Sequence, residues 1–326
     1  MEDAKMFIEH GPHRIGTVYR KALYREYTDE SFAKIKTRTP DEAYLGMLGP
    51  VLRGEVGQTI RVVFKNHATR AYSMHPHGVF YNKDSEGAGY ADGTTGKDQE
   101  DDAVPPGKTH VYTWQVPERA GPGPKDPSSL VWLYHSHADE PRDVESGLVG
   151  AIIITSKGMA SADGKPKDVD KEFVNLYMIV DENTSWYLDY NIKRFTTDPK
   201  GVKKLESSPS GGDGSFSPLG SGFVPSNFKN TINGYIYANM PVMTMKKGER
   251  VRWYLITIGE VANFHTPHWH GNVVLQAGHR TDVVAISPAQ METVDMVPDD
   301  PGTWMYHCHV DEHMAAGMVA LYKVEP

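Results

Sequence analysis

The feature that decides the fold of this chain is the segment Trp304-Met305-Tyr306-His307-Cys308-His309-Val310-Asp311-Glu312-His313-Met314-Ala315-Ala316-Gly317-Met318. It contains the only cysteine among 326 residues, placed between two histidines. A third histidine follows five residues after the cysteine, and a methionine follows five residues after that. Because a lone cysteine cannot form a disulfide within the chain, its thiol is either a buried apolar group or a metal ligand.

The residue types in this segment favour the metal ligand. A thiolate, two imidazoles and a weak axial thioether are the ligand set of a blue-copper electron-transfer centre. The segment supplies Cys308, His313 and Met318. The second imidazole therefore has to come from another part of the chain.

An internal repeat locates that imidazole. The stretch His135-Ser-His-Ala-Asp-Glu-Pro141 aligns with His307-Cys-His-Val-Asp-Glu-His313. The stretch Tyr72-Ser-Met-His-Pro-His-Gly78 aligns with His265-Thr-Pro-His-Trp-His-Gly271. The chain is therefore two copies of one domain, and His265 completes the blue-copper set.

The first copy lacks this ligand set. The positions that correspond to the four ligands hold Tyr72, Ser136, Pro141 and Leu148. None of these side chains is an imidazole, a thiolate or a thioether. The sequence thus predicts that only the second domain carries a blue-copper centre.

Eight other histidines occur as His-x-His pairs in both copies. Residues i and i+2 of a strand point to the same side of a sheet, so each pair presents two imidazoles together. The cysteine at 308 then points away from its two neighbours, one peptide step from them. This arrangement predicts a multinuclear metal cluster connected to the blue-copper centre. The pairs are His75 and His77, His135 and His137, His268 and His270, and His307 and His309.

Composition limits the classes of partner. The formal charge of −8 and the pI near 6.0 argue against nucleic acid and anionic membrane surfaces. The sequence contains no run of about 18 apolar residues, the length that a membrane-spanning helix needs. The first residues lack the pattern of a signal peptide, so we expect either a cytoplasmic protein or a signal that has been removed.

Short β-rich runs separated by turn residues predict an all-β fold of sandwich domains. Such runs occur at 58–64, 110–116, 150–155 and 250–256. The polar stretch 156–168 reads as the domain edge, which gives domains at 1–157 and 158–326. A Gly/Ser/Pro-rich stretch from 206 to about 227 predicts a long loop in the second domain.

At these motifs the chain resembles the multicopper oxidases, and it is similar to their ceruloplasmin-like branch over nearly its whole length. Segments that carry this likeness include Leu45-Gly-Met-Leu-Gly-Pro50 and Val180-Asp-Glu-Asn-Thr-Ser-Trp-Tyr-Leu188. The two-domain length resembles small laccases. The resemblance implies cupredoxin-like Greek-key sandwiches, O2 as the electron acceptor, a small reducing substrate and action in the periplasm or outside the cell.

The resemblance also implies how copper is distributed, at about four ions per chain of types 1, 2 and 3. Type 1 copper takes His265, Cys308, His313 and Met318. Each site of the trinuclear cluster draws on both domains, so the resemblance implies a homotrimer with three clusters between subunits. The implied cluster ligands are His75 and His268 for type 2, His77, His135 and His309 for one type 3 ion, and His137, His270 and His307 for the other.

O2 reduction consumes protons, so we expect a carboxylate close to the cluster. The candidates by sequence proximity are Glu86, Asp84 and Asp139. Tyr81, six residues after His75, resembles a tyrosine near type 2 copper in small laccases.

Two reductants and one other reaction remain as alternatives. The main hypothesis is a laccase-like oxidase of phenols or other organic reductants, and the alternative is a metallo-oxidase that acts on Fe(II) or Cu(I). A ferroxidase would need carboxylates beside the blue copper, where Asp311, Glu312 and Glu260 stand near the ligands in sequence. A copper nitrite reductase also has two such domains, but it resembles this chain less because it needs fewer cluster histidines and keeps its blue copper in the first domain.

Overall fold

The computed structural model of the chain describes residues 2–206, 222–258 and 264–326. Most of the loop predicted between 206 and 227 lies outside the described residues, and so does Glu260. The described part is mostly β-structure, as predicted. None of its helices combines the length and the apolar character that a membrane crossing requires.

The strands in the described ranges follow the predicted β-rich runs closely. The run predicted at 58–64 is a strand at Thr59–Lys65, and the run at 150–155 is a strand at Val149–Thr155. In chain order the strands are Leu52–Glu55 (β1), Thr59–Lys65 (β2), His75–Pro76 (β3), Thr109–Gln115 (β4), Ser129–His135 (β5), Val149–Thr155 (β6), Lys171–Asp181 (β7), Phe228–Ile232 (β8), Met243–Lys246 (β9), Val251–Thr257 (β10), Pro267–Trp269 (β11), Val274–Gln276 (β12), His279–Thr281 (β13), Met291–Met296 (β14), Gly302–Cys308 (β15) and Val319–Glu325 (β16).

The helices in the described ranges are short and lie in the connections between strands. The α-helices are Glu2–Ile8 (α1), Glu140–Glu145 (α2), Leu188–Phe195 (α3), Pro199–Glu206 (α4), Phe223–Ser226 (α5) and Asp311–Ala315 (α6). Single 3-10 turns occur at Pro40–Leu45, Lys83–Ser85, Gly96–Gln99 and Glu118–Ala120.

The sheets divide at the connection between β6 and β7. Strands β1 to β6 form a sheet of order β1-β6-β5-β3 and the pair β2-β4. Strands β7 to β16 form sheets of order β13-β12-β14-β10-β7-β8 and β11-β15-β16-β9. The predicted domain edge at 157/158 lies in this connection, and the boundary itself stays a prediction.

The internal repeat of the sequence is also a repeat of the sheets. In the first half β1, β6, β5 and β3 pair in that order, and in the second half β9, β16, β15 and β11 do the same. The register repeats as well, because His75 pairs with His135 and His268 pairs with His307. Equivalent histidines therefore occupy equivalent sheet positions in the two halves.

The first His-x-His pair of each half is followed by a glycine, which the tryptophan that packs on it requires. Gly78 and Gly271 have φ values of 77° and 73°, in the left-handed region that favours glycine. A Cβ atom at Gly78 would lie 2.2 Å from the Trp132 ring, and one at Gly271 would lie 2.7 Å from the Trp304 ring. These contacts fix the direction in which the chain leaves each histidine pair.

A buried ion-pair network joins the two groups of strands. Arg252 of β10 is 1% exposed, and its guanidinium donates to the Asp295 carboxylate at 2.7 and 3.0 Å. The same guanidinium donates at 2.8 Å to the hydroxyls of Ser128 and Ser129, which belong to the first half. Asp168 accepts a further bond at 3.3 Å. The network holds one orientation of the two halves.

Replacing Arg252 with methionine should lower the free energy of unfolding by about 1–3 kcal/mol, because the variant removes the hydrogen bonds to the buried Ser129 hydroxyl and to the partly exposed carboxylates of Asp295 and Asp168. Urea unfolding followed by tryptophan fluorescence measures this loss. The control is Arg250→Met, since Arg250 pairs with Asp170 at a side chain that is 53% exposed. Exposed ion pairs contribute about 0–1 kcal/mol, so equal losses in the two variants would contradict the prediction.

Candidate metal centres

The cysteine of the opening segment lies in a buried group of three ligand-type side chains. His265, Cys308 and His313 place their ligand atoms within 4.8 Å of one another. Cys308 Sγ is 3.5 Å from His313 Nδ1 and 3.9 Å from His265 Nδ1. All three residues are less than 5% exposed. We call this group the cysteine centre.

Local structure explains how residues distant in sequence converge there. Cys308 ends β15, His313 lies in α6, and Met318 directly precedes β16. The Cys308 N–H donates to the Met318 carbonyl at 3.1 Å, so the short helix returns the chain beside the cysteine. His265 reaches the centre from another connection, where its backbone pairs with that of Ile286. Met318 is fully buried.

Burial keeps the two imidazoles neutral. It lowers the pKa of His265 to about 3, with a smaller contribution from His313, and it lowers the pKa of His313 to about 4. A neutral imidazole has a free nitrogen lone pair for a metal ion. A thiol with two such nitrogens, shielded from water, fits a soft or borderline metal such as copper and does not fit Mg²⁺ or Ca²⁺.

These shifts predict a pH dependence for the metal-free protein. The unfolded chain binds protons on these histidines below about pH 6.5, whereas the folded chain does not, so stability falls as the pH drops from about 6.5 towards 4.5. His265→Gln removes one of these groups and should flatten the slope by about 1.4 kcal/mol per pH unit. Urea unfolding at several pH values measures it. A slope in His265→Gln equal to that of the wild-type protein would contradict the prediction.

The histidines of the first half gather in a second place. We call them the first histidine set, namely His75, His77, His135 and His137. Five pairs among their rings have centroids between 5.2 and 5.6 Å apart. The Nε2 atoms of His77 and His135 lie 3.2 Å apart. Burial, and then the neighbouring imidazoles, lower the pKa of His77 to about 4 and that of His135 to about 3.

The second half has a matching set. The second histidine set consists of His268, His270, His307 and His309. Five pairs among its rings have centroids between 4.9 and 5.5 Å apart. The Nε2 atoms of His270 and His307 lie 3.1 Å apart. The two sets are thus nearly the same arrangement built twice.

Backbone carbonyls orient four of these imidazoles. A carbonyl only accepts, so the ring Nδ1 carries the proton and Nε2 is left free for a metal. The donor–acceptor distances are 2.7 to 3.1 Å. The pairs are His75 with Glu86, His135 with Ser136, His268 with Asp282, and His307 with Cys308.

The two histidine sets do not meet within one chain. Among the eight described histidines, every ring contact and every Nε2 pair joins members of the same set. His309 is exposed and the His137 side chain is 34% exposed. Each set is therefore half of the predicted eight-histidine arrangement, with ligand side chains facing outward.

Two of the residues nominated from sequence lie close to the first histidine set. The Tyr81 ring centroid is 5.9 Å from that of His75. Glu86 meets His75 through its backbone carbonyl, whereas its carboxylate pairs with Lys83 Nζ at 2.6 Å. A role for either in proton delivery stays a prediction.

The other nominated residues have their own contacts. Asp84 pairs with Lys97 at 3.1 Å. The Asp139 backbone N–H donates to the Asp143 carboxylate at the start of α2. Glu312 is exposed on α6, one residue before His313. Proton-delivery roles for the aspartates and an iron-binding role for Glu312 stay predictions.

Sequence reasoning missed one carboxylate at the first histidine set. Glu140 places its Oε2 atom 3.2 Å from His137 Nε2 and its Oε1 atom 3.9 Å from His135 Nε2. The sequence feature that could have identified Glu140 is its position three residues after His137, in the first turn of α2. Asp139 is nearer in sequence, but the helix start directs the next side chain towards the imidazoles.

The first half fills the position of the cysteine centre with a polar network. Ser136, the counterpart of Cys308, donates its hydroxyl to the Asp143 carboxylate at 2.7 Å. The Tyr72 hydroxyl, at the counterpart of His265, lies 3.3 Å from that of Tyr187. The described residues place no thiolate or imidazole at these positions, in agreement with the sequence.

Comparisons with known proteins agree with this description. Models of the family described as "Multicopper oxidase" match residues 45–159 and 216–326. Curated relatives include "Ferroxidase HEPHL1" of Homo sapiens, 45% identical over 99% of this chain, and "Hephaestin" of Homo sapiens, 43% identical over 99%. "Ceruloplasmin" of Rattus norvegicus is 39% identical over 99%. This chain spans 26% of the first two and 29% of the third.

Solved structures share the fold. "Crystal structure of Blue Copper Oxidase from Nitrosomonas europaea" aligns with a TM-score of 0.56 over 94% of this chain and 83% of that one, at 20% identity. "Crystal structure of multicopper oxidase" aligns with a TM-score of 0.55 over 85% of this chain and 78% of that one, also at 20% identity. The prediction of cupredoxin-like all-β domains is confirmed.

Proposed function

Because the chain belongs to the multicopper oxidase family, we propose that it removes electrons one at a time from a reductant and reduces O2 to water. The observation that carries this proposal is the direct connection of two kinds of site. Cys308 belongs to the cysteine centre, and its neighbours His307 and His309 belong to the second histidine set. Copper, when bound, would supply the redox couple through which electrons from the reductant reach O2.

The protein's own residues prepare these sites. The cysteine centre is shielded from water by burial, and His265, Cys308, His313 and Met318 would hold type 1 copper. His307 donates its Nδ1–H to the Cys308 carbonyl, so one hydrogen bond and one peptide unit connect the two sites. The histidine sets would hold the other copper ions through their Nε2 atoms. The assignments are His75 and His268 to type 2, and His77, His135, His309, His137, His270 and His307 to type 3.

We further propose that the active form is a closed homotrimer. One chain holds two separated half-sets of histidines, each with members that are at least partly exposed, and a complete cluster needs one set of each kind. A head-to-tail contact between the first half of one subunit and the second half of the next would bring complementary sets together. Rotational closure of that contact gives a ring in which every set has a partner.

Metal analysis together with O2 uptake tests the proposal. We expect about four copper ions per chain, an intense blue colour, O2 consumption with a reductant and no turnover of nitrite. One copper per chain would contradict the proposed trinuclear cluster. Nitrite turnover would favour a copper nitrite reductase.

Two classes of reductant are proposed. The names of the relatives place Fe(II) first, since one of them is printed as a ferroxidase. Exposed Asp311 and Glu312 next to His313 support Fe(II) as well, because carboxylate oxygens suit a hard cation and stabilise Fe(III) as it forms. Phenols are the second class. We propose that the protein acts in the periplasm or outside the cell, as the family resemblance implies.

Removing the exposed carboxylate separates these reductants. Glu312→Ala should lower kcat/KM for Fe(II) about tenfold, equivalent to roughly 1.4 kcal/mol of transition-state stabilisation, and leave kcat/KM for a dimethoxyphenol unchanged. Steady-state O2 uptake measures both. Glu118→Ala, at an exposed position in the first half, is the control. An unchanged Fe(II) rate in Glu312→Ala would exclude an iron site at this residue.

A further inference from the structure

The residue after His265 contacts the cysteine sulfur with two groups. The Thr266 backbone N–H donates to Cys308 Sγ at 3.3 Å. Its side-chain Oγ1 lies 3.8 Å from the same sulfur, within hydrogen-bonding distance for sulfur. Thr266 is half-buried, between a proposed copper ligand and the start of β11. A polar side chain therefore faces a sulfur whose other proposed partners are metal ligands.

The first half of the chain shows which contact belongs to the scaffold. Ser73 is the counterpart of Thr266, and its backbone N–H donates at 3.0 Å to Ser136 Oγ, the counterpart of the cysteine sulfur. The Ser73 hydroxyl points elsewhere and donates to the Gly87 carbonyl at 2.6 Å. The backbone contact thus occurs without a thiolate. The hydroxyl contact, in contrast, is present only in the half that contains the cysteine.

We propose that the Thr266 hydroxyl is a second hydrogen-bond donor to the Cys308 thiolate and that it raises the reduction potential of the type 1 site. The inference rests on the proposed function. A metal-bound thiolate has no proton, so the hydroxyl is the donor. Reduction of the site places more negative charge on sulfur, and a hydrogen bond strengthens as the charge on its acceptor increases. The donor therefore stabilises the reduced state more than the oxidised state.

In this role Thr266 acts through its contact with the Cys308 sulfur and not through contact with the reductant. Hydrogen bonding around the cysteine is one of the factors that set the potential of blue-copper sites. A higher potential widens the range of reductants from which the site can take electrons. Thr266 would thus influence which substrates are oxidised without contacting them.

The test uses the copper-loaded full chain and a redox mediator of known potential. Thr266→Val keeps the shape of the side chain and removes the hydroxyl. At fixed mediator poise, the ratio of oxidised to reduced type 1 copper should rise about tenfold, which corresponds to the loss of one such hydrogen bond. Thr266→Ser restores the donor and should return the ratio to within about twofold of wild type. Thr303→Val, at an exposed position on β15, should leave the ratio unchanged.

The outcomes separate this inference from the function on which it rests. A blue Thr266→Val protein with the wild-type ratio would overturn the role of the hydroxyl and leave the oxidase proposal standing. A wild-type protein that binds no blue copper would overturn the oxidase proposal and this inference with it. If the valine variant does not fold, Thr266→Ala removes the same hydroxyl without a second branch, and the same tenfold change is required of it.

Discussion

Replacing Cys308 with serine should abolish the blue colour and the O2 consumption of the copper-loaded protein while leaving the two histidine sets and the oligomer in place. The first half of the chain supports this expectation. Ser136 stands there between His135 and His137, and the first histidine set still forms around that serine. A serine in this register is therefore compatible with a complete set of imidazoles.

The loss of activity should be large. Cys308 connects the proposed electron entry site to the second histidine set by one peptide unit on either side, and its sulfur is the ligand responsible for blue-copper character. Removing one member of a functional unit commonly costs about a thousandfold or more in rate. O2 uptake, the visible spectrum and copper content measure the effect, and copper should fall by about one ion per chain.

A matched serine position provides the control. Ser136→Ala removes a hydroxyl from the equivalent position of the first half, where the serine bonds Asp143 at 2.7 Å. We expect a stability loss of about 0.5–1.5 kcal/mol from this one hydrogen bond, with blue colour retained, because the Asp143 carboxylate still accepts bonds from the Asp139 N–H and the Trp186 indole N–H. If Cys308→Ser also dissociated the trimer, the cluster would have been assigned to the wrong part of the molecule.

Two inactive variants should restore activity when they assemble together. The first variant carries His77→Ala and His135→Ala in the first histidine set. The second carries His270→Ala and His307→Ala in the second set. In the proposed homotrimer, each variant alone would have one damaged set at every interface. In mixed trimers, an interface between the intact second set of one subunit and the intact first set of the next is complete.

The size of the restored activity tests the arrangement of the ring. Equal amounts of the two variants, unfolded together and refolded with copper, should recover about a quarter of wild-type O2 consumption, since one in four head-to-tail interfaces has both sets intact. The control is the same mixture of separately refolded, non-exchanging trimers, which should stay inactive. Zero activity in the co-refolded sample would mean that each cluster forms from a single chain or that the chain does not form this ring.

Spacing and repeat alignment were sufficient to predict which side chains gather in the candidate metal centres. His265 lies 43 positions from Cys308 and shares no local motif with it, yet the alignment with Tyr72 located it. The alternation of side chains along a strand also indicated that Cys308 points away from His307 and His309. These features depend on local covalent geometry and on the period of a β-strand, so they can be predicted from the sequence.

The directions of long polar side chains could not be derived in that way. Glu86 is eleven residues from His75 and was an obvious candidate, but Lys83 occupies its carboxylate. Glu140 lies within the repeated stretch but was not nominated from sequence, and its carboxylate reaches the imidazole of His137. The direction of such a side chain depends on the ion pairs and helix ends near it in the folded protein. Several rotamers are compatible with any one sequence position, so the sequence does not determine that direction.

Sequence alone was therefore enough to define the all-β fold, the repeat, the single cysteine centre and the identity of the eight histidines, because each is determined by short-range periodicity and residue chemistry. Only the tertiary structure could place the eight histidines in two separate sets within one chain and aim the Thr266 hydroxyl at the Cys308 sulfur. Both depend on how sheets from distant parts of the chain pack, and packing is a property of the whole fold.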